Sequence, residues 1–346
     1  MIKKSGGISF LSSLPRNIFS GFVVSLVALP LGLGLAIASE APPIAGVIAS
    51  IVGGVICSIF GGSNLTITGP GNGLVVVLLY SITSLGNGDL YQGYLYTLAA
   101  IVFSGVLMFL FGVFRLGALS EFFPSSSLQG MLAAIGIGIL AKQLHVMLGV
   151  TTVNGAPLNV LSKVPDTLSF LFSNLTLYFW IPVFLGLFSL VVLIFYSRLR
   201  SPLFRMVPAP MWVIVFAVGV SFYLEFFTDG LYNISESLMI RLPKNIVTNI
   251  PAPDYSLIGS LEFITTVISI TLIASIESLL SIKAVDKLDP QKRRSNVNKD
   301  LRSLGVATTL SGLIGGLPVV TVIARSSVNV NNGGSNRTSN FTHAMF

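Results

Sequence analysis

Glu277 is the one charged residue in the apolar run Phe263–Ile282, and Arg325 is the one charged residue in the shorter run 319–332. Charges inside apolar segments of membrane length are costly in hydrocarbon, so each marks a candidate site. Ser281 lies one helical turn beyond Glu277, on a face shared with Ile273 and Ala274, and Thr271, Ser275 and Ser278 supply hydroxyls nearby. Lys283 is the next charge, six residues on, or about 9 Å at helical rise. A glutamate side chain is too short to cover that distance to water. A carboxylate held this way can take up and release a coupling ion, because burial favours the neutral form of a carboxyl group. Arg325 can lend a fixed positive field to an anion, or it can anchor the end of a short helix; the residues alone support both.

Two stretches look like copies of one device. The first runs Phe60-Gly61-Gly62-Ser63 through Thr68-Gly69-Pro70-Gly71-Asn72-Gly73 into the short apolar run Leu74–Leu79. The second is Gly315-Gly316-Leu317-Pro318, followed by residues 319–327. In each, a glycine pair ends one helix, a glycine-rich or β-prone stub follows, and a proline is expected to open a half-length helix. Such a half-helix offers free backbone N–H groups and a positive dipole end, which together suit an anion. Paired interrupted segments of this kind point to a transporter's binding site. A small anion is therefore expected between the helices opening at Pro70 and Pro318. Gly71, Asn72 and Gly73 would line one side, and Val320, Thr321 and Val322 the other. Thr68 would donate its hydroxyl or cap the turn, and Asn72 could reach the substrate directly.

The elements that must position these residues are membrane segments. The chain has 346 residues, 53% hydrophobic and 10% charged, with a mean hydropathy of +0.85. That composition excludes an ordinary soluble domain. Ten segments are expected, at 20–38, 43–60, 70–85, 91–113, 127–148, 176–196, 209–227, 262–282, 301–316 and 318–332. The third and tenth are too short to span alone. Met1-Ile2-Lys3-Lys4 leads into further spans rather than into a cleavage site. With the N-terminus in the cytoplasm, that side receives Lys3, Lys4, Arg16, Arg115, Arg198, Arg200, Arg205, Arg337 and the seven bases of 283–302. The other side receives Lys163, Arg241 and Lys244, with Lys142 near a helix end. This asymmetry fits the positive-inside rule and places the chain in the inner (plasma) membrane. The net charge of +7 is then a topology signal rather than a nucleic-acid surface.

Cys57 is the only cysteine, so neither an internal disulfide nor a cysteine metal cluster can form, and no cofactor or metal is expected. There are two histidines and no zinc-protease motif, which argues against a membrane enzyme. His145 and Lys142 are read as interface markers rather than a proton path. Asn329 and Asn331, with Gly333 and Gly334, are read as the end of the tenth segment.

Several motifs make the chain similar to the SulP family of inorganic anion transporters. They are residues 21–31 (GFVVSLVALPL), Ala41-Pro42-Pro43-Ile44-Ala45-Gly46, Phe60-Gly61-Gly62-Ser63, Thr68-Gly69-Pro70, Ser275-Ile276-Glu277-Ser278-Leu279-Leu280-Ser281 and Arg325-Ser326-Ser327-Val328-Asn329. The resemblance implies an all-α membrane protein with a seven-plus-seven inverted repeat, in which two half-helices meet at mid-membrane. It implies a cytoplasmic stretch 1–19, a substrate-carrying core of 20–126 and 261–346, a gate of 127–260, and a homodimer at full length. Ending at Phe346, where an eleventh segment would begin, the chain is expected to lack the last core helix, the second half of the gate and the family's cytoplasmic STAS domain. The position matching Glu277 handles the coupling ion in the family, and Ser281 matches a neighbouring hydroxyl. Sodium-coupled relatives carry aspartate there and an oxygen near position 323. Glutamate and Ile323 therefore favour proton over sodium. Nucleobase permeases share the architecture, but they place an acid on the tenth segment, where this chain has Arg325. An uncoupled uniporter or channel remains open as a reading.

Overall fold

The computed structural model describes residues 10–121, 125–150, 153, 157–174, 177–196, 198, 209–227, 234, 238–240 and 250–346. In chain order the described elements are α1 (Phe10–Ala38), α2 (Ile44–Phe60), β1 (Thr68–Pro70), a 3-10 turn (Asn72–Leu74), α3 (Val75–Gly86), α4 (Leu90–Val113) and a second 3-10 turn (Leu116–Glu121). Next come α5 (Ser125–Met147), α6 (Pro157–Ser162), α7 (Val164–Ser173), α8 (Leu177–Tyr196) and α9 (Ala209–Phe227). The chain then runs through α10 (Leu261–Leu288), α11 (Val297–Leu313), β2 (Val319–Thr321), α12 (Ile323–Asn331) and α13 (Thr338–Met345). Lys3, Lys4, Arg200, Arg205, Arg241 and Lys244, counted above for topology, lie outside the described residues.

Among the described residues, four helices are long and apolar enough to cross a membrane: Ser12–Ala38, Leu90–Val113, Ala209–Phe227 and Leu261–Leu288. Ile44–Phe60, Asn72–Gly86 and Trp180–Tyr196 are shorter apolar helices. Three elements outrun their expected bounds, and each extension carries charged or amide residues. The first turns of α1 are held from the far end of the chain. Asn17 accepts the Ser335 N–H at 2.8 Å, and Ser13 accepts from Asn336 Nδ2 at 3.0 Å. The helix α10 continues through Lys283 and Lys287 to Leu288. Finally, α11 starts at Val297 because Asn296 caps it, accepting the Lys299 N–H at 3.1 Å.

The chain divides into two compact units, residues 1–123 with 244–346, and residues 124–243. Residues 250–260, expected with the gate segments, pack in the first unit. Asp254 donates its N–H to the Leu95 carbonyl at 3.1 Å and accepts from Gln92 Nε2 at 2.7 Å. The Ser256 N–H and Gln92 hold the Asp254 carboxyl below the usual carboxylate range.

In the first unit, α4 and α11 approach at a glycine pair. A β-carbon on Gly305 would fall 2.7 Å from the Gly105 carbonyl oxygen, so neither position has room for a side chain. Within lipid, where tails are as apolar as leucine, such close backbone packing is what binds helices together. Around this crossing lies a buried cluster including Leu74, Leu78, Leu98, Ile101, Met108, Ile270, Ala274, Leu304, Val319 and Val320. Both strands therefore run through the core. They form a two-stranded antiparallel ribbon with Thr68 opposite Thr321, Gly69 opposite Val320 and Pro70 opposite Val319. Extended backbone survives at this depth only because the ribbon and its neighbours satisfy its polar groups.

In the second unit His145 is buried and braces α5 to the following helices. Its Nε2 donates to the Val160 carbonyl at 2.8 Å, and its Nδ1 takes the Thr167 hydroxyl at 2.7 Å. Both bonds are internal, as expected of a structural histidine. Leu148, Leu171 and Val183 pack together beside Trp180, and the helix α9 buries none of its residues.

Candidate functional site

The ribbon brings the two glycine–proline stubs side by side, since Pro70 pairs with the residue after Pro318. It also shifts their helices. Pro70 is the last residue of β1 and Pro318 precedes β2, so neither proline opens a helix. The sequence reading placed both helix starts too early, because a short β-prone stub and a first helical turn look alike without knowledge of the partner strand. The observed starts are the 3-10 turn at Asn72 and the helix at Ile323. The two helices leave opposite ends of the ribbon, and neither has a side-chain cap from its own N-cap residue. In the same unit α4, α10 and α11 are all capped in that way, by Asp89, Ser260 and Asn296. Uncapped amino ends keep N–H donors open to another partner.

Val320, Thr321 and Val322 are thus strand and ribbon end, and all three are buried. The Thr321 N–H goes to Ser278 Oγ at 3.2 Å, and the Val322 N–H to the Ile67 carbonyl at 3.0 Å. The Val320 N–H faces Gly69 across the ladder, where antiparallel alternation puts the paired bonds. The first turn of α12 begins with Ile323 and Ala324, both exposed. On the opposite side Asn72 is exposed, while Gly71 and Gly73 are buried.

Glu277 fills the α3 side. Its Oε1 accepts the Gly73 N–H at 3.3 Å, and its Oε2 has no partner. A β-carbon on Gly71 or on Gly73 would lie 2.8 Å from Oε2, so the carboxylate sits where those side chains would be. The spacing Gly71-Asn72-Gly73 is therefore a seat for the acid of a helix 204 residues away. Ser281 is buried one turn further along α10. Of the hydroxyl stripe, Thr271 bonds back to its own helix, Ser278 pins β2, and Ser275 has no partner.

Arg325 is fully buried, which removes the reading of an anchor at a helix end. Its Nη1 donates to Ser50 Oγ at 3.4 Å, while Nε and Nη2 have no partner. A β-carbon on Gly69 would collide with Nη1, so this glycine makes room for the guanidinium. The charges of Glu277 and Arg325 interact at a distance, with no ion pair between them among the described residues. Leaving a guanidinium buried with two unmet nitrogens is expensive unless an acceptor, water or anion, visits it.

Thr68 neither caps the turn nor stands open to a substrate. Its N–H donates to Asn340 Oδ1 and its hydroxyl accepts from Asn340 Nδ2, both at 3.1 Å. Sequence reading missed Asn340, Ser50 and His343. His343 is buried beside the Thr68 backbone and within reach of the Arg325 charge, and neither ring nitrogen makes a hydrogen bond of good geometry. The one available signal was the clustering of Asn, Ser, Thr and His within Ser335–His343 after a membrane segment. Asn329, read as a helix end, is a cross-brace: its Nδ2 donates to the Leu65 carbonyl at 2.8 Å and its Oδ1 accepts the Ser20 hydroxyl at 2.7 Å.

The first unit thus holds a pair of half-helices that start from a buried ribbon, one beside a seated acid and one carrying a buried arginine. The Sulfate permease family profile matches residues 14–346, and the chain belongs to that family. It is 27% identical over 335 residues to the "Putative sulfate transporter YvdB" of Bacillus subtilis (strain 168), covering 97% of this chain and 59% of that protein. It is 26% identical over 336 residues to the "Bicarbonate transporter BicA" of Synechocystis sp., covering 96% of this chain and 56% of that one. The chain thus spans somewhat over half the length of these relatives, which are transporters rather than enzymes. The transmembrane domain of a cyanobacterial bicarbonate transporter BicA superposes with a TM-score of 0.82 at 23% identity, over 96% of this chain and 80% of that one. The murine anion transporter Slc26a9 in its inward-facing state gives 0.77 at 14% identity, over 97% and 57%. These likenesses establish the fold.

Proposed function

We propose that this chain forms the site-bearing part of a secondary active transporter for a small inorganic anion, of the sulfate or bicarbonate class. We further propose that anion and proton move together. The observation that carries this reading is the seat of Glu277 between Gly71 and Gly73, on the N–H of Gly73. An ionised carboxylate there behaves as a tethered anion at the amino end of α3 and repels a second one. Protonated Glu277 loses that repulsion and frees the donors for substrate. Arg325, buried across the ribbon, holds the positive field that favours an anion there. Substrate and proton then favour each other's binding, which is symport.

In this reading Gly71, Asn72 and Gly73 meet the anion from one side. The first turn of α12 meets it from the other, with Val320, Thr321 and Val322 shaping the ribbon behind. Thr68 holds the ribbon through Asn340, and Ser281 supports the acid. The first unit is the moving core and residues 124–243 belong to the gate, as alternating access requires. The protein resides in the plasma membrane with a cytoplasmic N-terminus, and at full length it is a homodimer. Uptake of radiolabelled sulfate and bicarbonate by the full-length protein in proteoliposomes, with and without an inward proton gradient, tests this. Accumulation driven by a sodium gradient alone, or no effect of either gradient, would overturn the coupling.

A further inference from the structure

The glycine pair that opens the first stub, Gly61-Gly62, lies outside the ribbon, in the loop between α2 and β1. Distant segments hold that loop in place. The Gly61 carbonyl accepts from Arg337 Nη1 at 2.6 Å, and the Gly62 carbonyl accepts the Asn296 N–H at 3.3 Å. The Gly62 and Ser63 N–H groups both donate to Asp300 Oδ1, at 2.7 and 3.1 Å. A β-carbon on Gly62 would fall 2.4 Å from the Asn296 carbonyl oxygen, and one on Gly61 would fall 3.2 Å from Asp300 Oδ1. Small residues are what let the loop and the acid meet.

Asp300 sits in the first turn of α11, ahead of the apolar run 301–316, and is 5% exposed. Its Oδ2 has no hydrogen-bond partner among the described residues. Two N–H groups on one oxygen are thin solvation for a buried carboxylate, so its ionised form strains the closed loop. Facing it from other elements are Cys57 on α2, Asp286 on α10 and Arg337 ahead of α13. Burial pushes the Asp300 carboxyl up to about 6 against the pull of the Gly62 and Ser63 N–H groups; Asp286 raises it further and Arg337 lowers it.

Residues 64–67 alone separate this loop from β1. The ribbon entry is itself pinned, with the Ile67 N–H on Ser326 Oγ at 2.9 Å and the Thr68 N–H on Asn340 Oδ1 at 3.1 Å. Whatever fixes Ser63 therefore limits how far β1 and the turn after it can shift. We infer that Asp300 is a positioning residue for the anion site: it latches Gly62 and Ser63, and through residues 64–67 it sets the place of β1 and of the amino end of α3. The positioning role rests on the anion-transport reading, whereas the latch itself does not.

The latch has a definite sign with pH. Opening the loop returns Asp300 to water and to the ordinary carboxylate range near about 4. The closed loop therefore takes up a proton as pH falls through about 6, and acid favours closing.

Hydrogen exchange of the purified full chain in detergent, corrected for the intrinsic rate at each pH, reads this on peptides within residues 60–70. Wild-type protection at Gly62, Ser63, Ile67 and Thr68 should be about tenfold higher at about pH 5 than at about pH 7.5. Asp300→Asn keeps an oxygen for both N–H groups and cannot titrate, so its protection should be the same at both. Asp300→Ala, which lacks that oxygen, should bind sulfate or bicarbonate about tenfold more weakly than Asp300→Asn in calorimetry. An equal pH response in wild type and Asp300→Asn would overturn the latch. A response confined to Gly62 and Ser63, or equal anion affinity in the two variants, would overturn the positioning role. If the wild type binds neither anion, the transport reading falls instead, and exchange still decides the latch.

Discussion

The amino ends of α3 and α12 are built alike and furnished oppositely. Each follows a three-residue strand of one ribbon, and each lacks a side-chain cap from its own N-cap residue. At α3 the approach is lined by glycine and a carboxylate from α10 is drawn onto the backbone. At α12 the approach is Val319-Val320-Thr321-Val322, and the charge is cationic, from the helix's own Arg325, buried behind it. The difference teaches that a repeated backbone device need not carry a repeated chemistry. One copy holds the carboxylate of another helix, and the other carries a buried guanidinium of its own.

The strongest way to break the comparison is to fill the α3 seat. Gly71→Val would drive a side chain into Glu277 and Val320, and uptake should fall by about 100-fold or more, in line with the loss caused by small misplacements at a site. The same change at Gly130, where an added β-carbon has open space, should leave uptake near wild type. Comparable uptake in both would mean that the seat is not needed.

Next in size is Glu277→Gln, which mimics the protonated acid. Anion binding should persist while the acceleration by an inward proton gradient disappears; a variant that still concentrates substrate when the outside is acidified refutes the coupling role. Arg325→Gln should weaken anion affinity about tenfold, a change worth about 1.4 kcal/mol, with membrane insertion intact. An unchanged dissociation constant for every transported anion would show that the two amino ends do not differ in charge function.

Ser278→Ala sharpens the picture of the ribbon. It leaves the buried Thr321 N–H without its acceptor, at a cost of about 1–3 kcal/mol. Thermal unfolding should show the loss, whereas Thr265→Ala, on an exposed hydroxyl of the same helix, should not. The smallest effect concerns the loop after α10. There Asp289 is opposed by its own burial, but Arg293, at 2.7 Å, and the Gln291 N–H hold its carboxyl below the usual range. A depressed carboxylate contributes stability above its unfolded pKa and loses it as pH falls through the folded one. Unfolding scans should therefore show the difference between wild type and Asp289→Asn shrinking below about pH 4. The difference itself should be less than about 1 kcal/mol near neutral pH, in the range of ion pairs at a protein surface.

What sequence reading captured was set by composition and local punctuation. The apolar runs located α2, α4 and α9 to within about a residue or two. The isolated charges singled out Glu277 and Arg325, and the glycine–proline stubs pointed to each other. What it missed depends on partners distant in the chain. Strand pairing between residues 68–70 and 319–321 has no local signature beyond a few β-branched residues. The same holds for Asn340 on Thr68, Ser50 on Arg325 and Ser278 on Thr321. The opening turns of α1, where Arg16 and Asn17 interrupt the apolar residues, escaped because hydropathy measures greasiness, while those turns are held by Asn17 and Ser13.

The ribbon also sets a timetable for synthesis. Pro70 emerges from the ribosome about 250 residues before Val319, its partner, and at ~5–20 residues per second that gap lasts about 12–50 seconds. Throughout it, the stub after α2 has an unpaired strand and an uncapped helix start that hydrocarbon will not accept. The nascent chain must therefore keep that stretch sheltered, in the insertion machinery or against α1, α2 and α4, until β2 arrives. Inserting a pause between residues 86 and 297 should lengthen the protease-sensitive lifetime of residues 61–73 in proportion, and β2 sequences that pair poorly should leave them exposed in the finished protein.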